Sequence, residues 1–384
     1  MTRIKQIPTR ILALGLAGLW TLAAGCEVHL PEPPPDWFRK TQVLRAGLGP
    51  GYLAAGDLNQ DGRVDLVVCN TKGHTLTFLF GRGDGTFASP VHHAVPLGPS
   101  FAKIIDLNRD GLSDLIYNSR GTDAVLVLLG KGGGEFLAPR TLNTGKVPLS
   151  VITDDFNGDG ALDLVVTLTF NKMQVFLGVG DGTFKTGDTY QTGSRSLAGV
   201  SGDFNQDRKP DLALAVSSNT ASSIRIYAGN GDGTFRQTGR IGIGLRPLAL
   251  VKKDLNGDGL DDLVCTSALQ DNLYAFFARA DGSFSEPVAF SGGGGPVSLV
   301  VEDFDGDRWP DVAVANSRSS SFSLITRTRD GGFYFPTRDY ITGGTPLALT
   351  SADFNGDGLQ DLAVASSTEG TVEIFLRRNL RKAR

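Results

Sequence analysis

The chain has 384 residues, 50 of them Gly and three of them Cys, with a formal net charge of −4. Gly at nearly twice the usual ~7%, without a collagen triplet, means many tight turns between short strands. Hydrophobic residues at 40% support a real core, a pI near 5.6 excludes nucleic acid as the main partner, and three cysteines cannot staple a disulfide framework.

Arg3, Lys5 and Arg10 precede an apolar run over residues 11–24. That run is short for a helix crossing about 30 Å of hydrocarbon. It ends in Leu22-Ala23-Ala24-Gly25-Cys26, with the small residues of a signal-peptide cleavage site. A Cys directly after Ala-Gly resembles a bacterial lipobox. The resemblance implies a lipoprotein signal peptide over residues 1–25 and lipidation of Cys26, the new N-terminus. The expected location is the bacterial cell envelope, lipid-anchored, on the outer-membrane or periplasmic side. Residues 26–36 include Pro31, Pro33, Pro34 and Pro35 and read as an extended tether.

From there the chain repeats itself. The string D-x-[ND]-x-D-x-x-x-D occurs seven times, with successive starts 48 to 51 residues apart. Seven residues before each string stands Pro50, Pro99, Pro148, Ser196, Pro247, Pro296 or Pro346. Nineteen or twenty residues before it stands Phe38, Phe87, Phe136, Phe184, Phe235, Phe284 or Phe333. Most of these Phe follow an Asp-Gly turn, a hairpin signal. Each unit divides into four strands. Strand A precedes the acidic loop, strand B follows it, strand C comes next, and strand D starts at the Phe. Strands A and B are rich in Val, Leu and Ala, as expected for burial on both faces.

Four strands in about 50 residues match a propeller blade. The predicted fold is all-β, a seven-bladed β-propeller of four-stranded blades over residues 37–380, followed by a basic tail at 381–384. The chain enters on a D-type strand, residues 38–44, and leaves on a C-type strand, residues 372–376. The N-terminal strand is therefore expected to complete the last blade and close the ring, which removes exposed sheet edges.

The acidic loops have ligand spacing. Position 1 is Asp57, Asp106, Asp155, Asp203, Asp254, Asp303 or Asp353. Position 3 is Asn59, Asn108, Asn157, Asn205, Asn256, Asp305 or Asn355. Position 5 is Asp61, Asp110, Asp159, Asp207, Asp258, Asp307 or Asp357. Position 9 is Asp65, Asp114, Asp163, Asp211, Asp262, Asp311 or Asp361. Oxygen side chains at 1, 3 and 5, a carbonyl at 7 and a closing carboxylate suit Ca²⁺, up to seven ions per chain. Position 12 is apolar and the flanks are strands, so an EF-hand is excluded. Asx-turns are the competing reading, but they account for one Asp or Asn per turn rather than four. The four positions hold 22 of the chain's 41 acidic residues, and such crowding repels without a cation. Position 6 is Gly in five loops, suiting a left-handed turn, and Arg208 or Arg308 in two. Those two loops are expected to bind more weakly.

The strings and their Asp-Gly-Thr-Phe turns resemble the FG-GAP/VCBS-type repeat of integrin-α-like propellers, over residues 37–378. The resemblance implies adhesion, ligand display, or carbohydrate and protein binding. No G-x-S-x-G, H-E-x-x-H or phosphate-binding loop is present, and His74, His92 and His93 read as surface residues. The predicted function is a non-catalytic ligand-binding, adhesion or assembly module. The alternative is a propeller-face polysaccharide lyase or hydrolase. Strand alternation puts the A–B and C–D connections on one face and the varied B–C and D–A connections on the other. A protein or glycan partner is expected on the B–C/D–A face, where Arg120, Lys146, Arg195 and Arg246 lie.

Overall fold

The computed structural model describes residues 35–379 except 219–220, 329–331 and 334–336. Cys26, the leader, most of the tether and the tail at 381–384 lie outside the described residues. Seven four-stranded antiparallel sheets form the blades. Blade 3 shows the plan: strand A is Pro148–Asp154, B is Asp163–Leu168, C is Lys172–Gly178 and D is Phe184–Gln191. No helix occurs among the described residues. The last blade is completed by Phe38–Arg45, which pairs with Thr371–Arg377 in a register running from Phe38 opposite Arg377 to Arg45 opposite Thr371. Closure by the N-terminal strand is thus observed. Lys40 on that strand meets the buried Glu373 at 2.5 Å, so an ion pair reinforces the seam.

The B strands are buried at every position along Asp65–Asn70, Asp114–Ser119 and Asp163–Leu168. The A strands differ from the expectation. In Pro50–Gly56 and Pro99–Ile105 the later residues are only half-buried. They form the innermost ring, and Leu53, Phe101, Val151, Gly199, Val300 and Leu349 line the central channel. One face of each A strand therefore looks onto that channel instead of a neighbouring sheet. The prolines open five A strands, and a register shift follows each one, as between Pro148 and Ser150. Proline offers no N–H to the ladder and is tolerated at a strand's first residue.

Strand D begins at the Phe only in blades 3, 4 and 7, at Phe184, Phe235 and Phe38. In blades 1 and 5 the Phe makes a lone bridge, Gly81 to Phe87 and Ala278 to Phe284, and the strand proper starts at Val91 or Val288. In blade 2, Phe136 joins a short ladder with Gly130, and strand D starts at Arg140. Pro90, Pro139 and Pro287 explain the gap, because each removes a ladder donor between the Phe and the strand. The Phe has another task. In each blade it packs against position 2 of the preceding blade's acidic loop. Phe87 meets Phe354 with ring centroids 5.4 Å apart, and Phe235 meets Phe156 at 5.2 Å. Phe136 shares a cluster with Leu58, Phe184 with Leu107, Phe284 with Phe204, and Phe333 with Leu255. The core is thus seven apolar clusters, one at each blade interface.

Phe38 makes the same contact across the seam, edge-on to Phe304, Phe322 and Tyr340 at 5.6, 5.9 and 5.6 Å. Large-to-small changes at such sites cost about 3–5 kcal/mol. Phe38→Ala is expected to lower unfolding free energy by that amount in a denaturant titration. A loss under ~1 kcal/mol would mean that the N-terminal strand contributes little to closure.

Candidate metal loops and the opposite face

The acidic loops connect strands A and B at one end of the disc. Loop 3 shows their construction. Asp155 Oδ1 accepts the N–H groups of Gly158 and Asp159 at 2.8 and 3.1 Å, and its Oδ2 accepts that of Gly160 at 2.8 Å. Asn157 Oδ1 accepts the Asp159 N–H at 2.9 Å, while its Nδ2 donates to Asp159 Oδ2 at 2.9 Å. Asp159 Oδ1 accepts the Ala161 N–H at 2.8 Å. In all seven loops the position 6 N–H donates to position 1 at 2.7–3.0 Å. This needs a left-handed backbone, and φ at position 6 is 80, 82, 90, 66, 85, 79 and 81° in chain order, Arg208 and Arg308 included. Position 4 is left-handed as well, at Gln60, Arg109 and Gln206 among others. The sequence reading missed position 4, where only some loops carry the Gly that signals it. The Asx-turn reading therefore covers more than one residue per loop: positions 1, 3 and 5 all hold the backbone.

Position 9 does something different. Each of its carboxylates is buried, with 0 or 1% exposure. One oxygen accepts the N–H of position 2 at 2.8–3.0 Å, from Leu58, Leu107, Phe156, Phe204, Leu255, Phe304 and Phe354. The other accepts the N–H of a residue just beyond strand C or at its end, at 2.7–2.9 Å: Gly81, Gly130, Gly178, Gly229, Ala278, Arg327 and Arg377. The carboxylate ties the start of the acidic loop to the start of the C–D connection. That connection in turn docks on the loop of the preceding blade: Gly85 N–H donates to the Phe354 carbonyl at 2.9 Å, and Gly233 N–H to the Phe156 carbonyl at 3.0 Å.

The donors fit a hard divalent cation. Every side-chain ligand position offers oxygen, and position 9 buries negative charge with no cationic side chain bonded to it. Burial raises the Asp65, Asp163, Asp262 and Asp361 carboxyls to about 6 against the pull of their backbone N–H partners. Asp311 rises to about 8 for the same reason, helped by Asp305 and Asp307. In loop 6, Asp303, Asp305 and Asp311 bring oxygens within 4.8 Å of one another, and among the described residues no other loop gathers three carboxylates this way. Loop 6 carries Arg308 and was expected to be weak. Its side chain is exposed, and the carboxylates converge regardless.

On the opposite face the backbone is as regular as on the first. The residue before strand C turns its carbonyl to the D–A connection in every blade, as when Asp123 accepts the Thr144 N–H at 3.0 Å and Asn171 the Thr192 N–H at 2.7 Å. Variation lies in the side chains. Burial lowers the Arg195 pKa, and the charges of Arg120 and Arg246 lower it further. Arg195 and Arg246 line a groove of about 680 Å³ with Asn171, Ser194, Ser217 and Leu269, and its described lining holds no carboxylate. Leu48, Leu97, Phe170 and Leu269 are exposed in connections on this face. Cys69 and Cys265 are buried thiols, and His92 and His93 lie on an exposed strand, as expected.

A family model described as FG-GAP-like repeat matches residues 106–166, 155–214, 254–314 and 303–364, together more than half of the chain. The chain belongs to the FG-GAP-like repeat family. A search of curated proteins found no significant match. Among solved structures the family member resembles BBS1N in its complex with ARL6DN soaked with mercury, at TM-score 0.64 and 15% identity over 89% of this chain and 98% of that one. The lead-soaked form of the same complex gives 0.61 and 14% over 89% and 97%. A lectin of Agrocybe aegerita that recognises non-reducing terminal N-acetylglucosamine gives 0.57 and 17% over 84% and 86%. At these identities the likeness shows the propeller fold alone.

The raised carboxyls set a pH dependence. A carboxyl with a folded pKa above its unfolded 3.8 contributes stability that is complete below 3.8 and is lost as pH rises through the folded value. In calcium-free buffer the melting temperature is therefore expected to fall as pH rises from about 4 through the window of about 6 to about 8. Millimolar calcium is expected to abolish that fall. A calcium-free melting curve that rises across the window would contradict the burial argument.

Proposed function

We propose that this FG-GAP propeller is a calcium-stabilised, non-catalytic binding module of the bacterial envelope, tethered through lipid on Cys26. Its partner docks on the B–C/D–A face and is anionic. The observation that carries the reading is a groove lined by Arg195 and Arg246 whose described lining holds no carboxylate. Like charges held together cost stability, and an anion relieves that cost. Leu269, exposed in the same groove, adds apolar contact area in the manner of an interaction surface. The other face supports the reading by contrast. There, conserved spacing serves hydrogen bonds within the loop and the docking of the next blade, which suits a scaffold. Loops that vary on a rigid scaffold are where specificity resides.

Positions 1, 3, 5 and 9 of each loop would hold calcium, whose role is to neutralise charge at the blade interfaces. Mass spectrometry of the mature N-terminus reads the anchor directly: acylated Cys26 is expected, and an unmodified N-terminus contradicts it. For the partner face, binding of envelope glycans and proteins is measured for wild type, Arg120→Ala and Arg246→Ala. Each substitution is expected to weaken binding about tenfold, a difference of ~1.4 kcal/mol, without shifting the melting temperature. Loss of binding on Asp181→Ala, in a C–D turn, with the arginine variants unaffected would place the partner on the wrong face of this account.

A further inference from the structure

The residue before the opening proline of strand A has one backbone duty around the ring. The carbonyls of Gly49, Gly98, Val147, Arg246, Gly295 and Thr345 each accept the N–H of the residue that follows strand B, at 2.8–3.3 Å. Gly, Val and Thr do this as well as Arg, so the arginine side chain is not needed for it. Blade 4, where Ser196 replaces the proline, has Arg195 in the same column. Arg246 performs the duty in a left-handed backbone, with φ 60°, where Gly49, Gly98 and Gly295 have 66, 72 and 69°. Gly takes that conformation freely and an L side chain does not. Both arginines are exposed, and neither guanidinium has a hydrogen-bond or ion-pair partner among the described residues. Backbone strain kept without a structural return points to function.

Two residues further on, the chain rims the central channel. In blades 3 to 7 that residue is Leu149, Leu197, Leu248, Val297 and Leu347, and all five line the channel. Leu347 is 37% exposed and the other four are half-buried. Leu197 and Leu248 also line the groove of Arg195 and Arg246. Groove and channel mouth are therefore one depression, cationic at one end and aliphatic at the other. Asn171, Ser194 and Ser217 add amide and hydroxyl groups at the cationic end. A mostly apolar hollow with a few polar groups is the usual form of a binding site.

The lining discriminates among anionic ligands. A glycan has no apolar group to set against five aliphatic side chains. An alkyl chain with an acid head covers them but gives Asn171, Ser194 and Ser217 nothing to bond. A peptide answers every part: backbone amides for the polar groups, a carboxylate for the arginines and an aliphatic side chain for the mouth. We infer that groove and mouth form one recognition site for a protein partner that presents an Asp or Glu beside an aliphatic residue. The carboxylate meets Arg195 and Arg246, and the aliphatic side chain seats in the ring beside Leu197 and Leu248. This rests on the anionic-partner reading above and narrows it to a peptide segment.

Two measurements on the whole mature chain test it. Arg246→Gly is expected to leave the melting temperature unchanged or raised, since Gly fits the left-handed backbone. A lowered melting temperature means that the arginine serves the fold, and overturns the assignment. A random heptapeptide library displayed on phage is also selected against wild type, and enriched peptides are titrated by fluorescence anisotropy. They are expected to carry Asp or Glu next to Leu, Ile or Val. Arg246→Gly and Leu248→Ser are each expected to bind them about tenfold more weakly. Ser100 holds the Leu248 column in blade 2, so the fold accepts serine there. Enriched peptides without that pair, or with affinities that ignore both substitutions, overturn the assignment. Alginate and laurate are titrated alongside as the glycan and alkyl-chain alternatives. Binding of either that depends on Arg246, with no peptide selected, overturns the peptide site and leaves the anionic-partner reading in place. No probe whose binding depends on Arg246 overturns both.

Discussion

Seven buried carboxylates hold this ring together. Each accepts one N–H from the start of its own acidic loop and one from the segment leaving strand C, at 2.7–3.0 Å throughout. A side chain with two acceptor oxygens and no donor is the residue type that can satisfy two converging N–H groups out of water. Removing it strands both, at about 1–3 kcal/mol each. Because the C–D connection starts at one of those N–H groups and then docks on the blade behind, a local clamp becomes an interface between blades.

The apolar core follows the same route. Position 2 of each loop, beside the clamped N–H, is Leu or Phe and is buried at 0–3%. It meets the Phe of the following blade. The recurrent Phe and the acidic string thus face each other across a blade boundary although about 20 residues separate a Phe from the next string. A propeller needs such a coupling, since no blade covers both of its own faces. The seam closes by the same device, with Phe38 against Phe304 and an added ion pair, Lys40 to Glu373.

Blade number, the four-strand plan, the closing strand and the left-handed position 6 were legible in the sequence because each depends on spacing. Three features were not. The division of labour within the acidic loop was hidden, since Asp at position 1 and Asp at position 9 look alike until burial separates them. The late start of strand D was hidden behind the Phe, although Pro90, Pro139 and Pro287 are local signals that a ladder donor is missing. The arginines of blades 6 and 7 stand where blades 1 to 4 have Gly and blade 5 has Ala278. Comparing the units column by column would have singled out Arg327 and Arg377 but not the aromatic rings they lie against, Phe277 and Trp309 for the one and Trp37 for the other.

The central claim is that position 9 is a backbone clamp, whereas position 5 stands at the exposed side of the loop. Melting temperatures of Asp163→Ala and Asp159→Ala in chelator at neutral pH test it most directly, since both remove one carboxylate from loop 3. The account predicts a large loss for Asp163→Ala, matching about 2–6 kcal/mol from two stranded N–H groups, and a small one for Asp159→Ala. Equal losses, or a greater loss for Asp159→Ala, would contradict it.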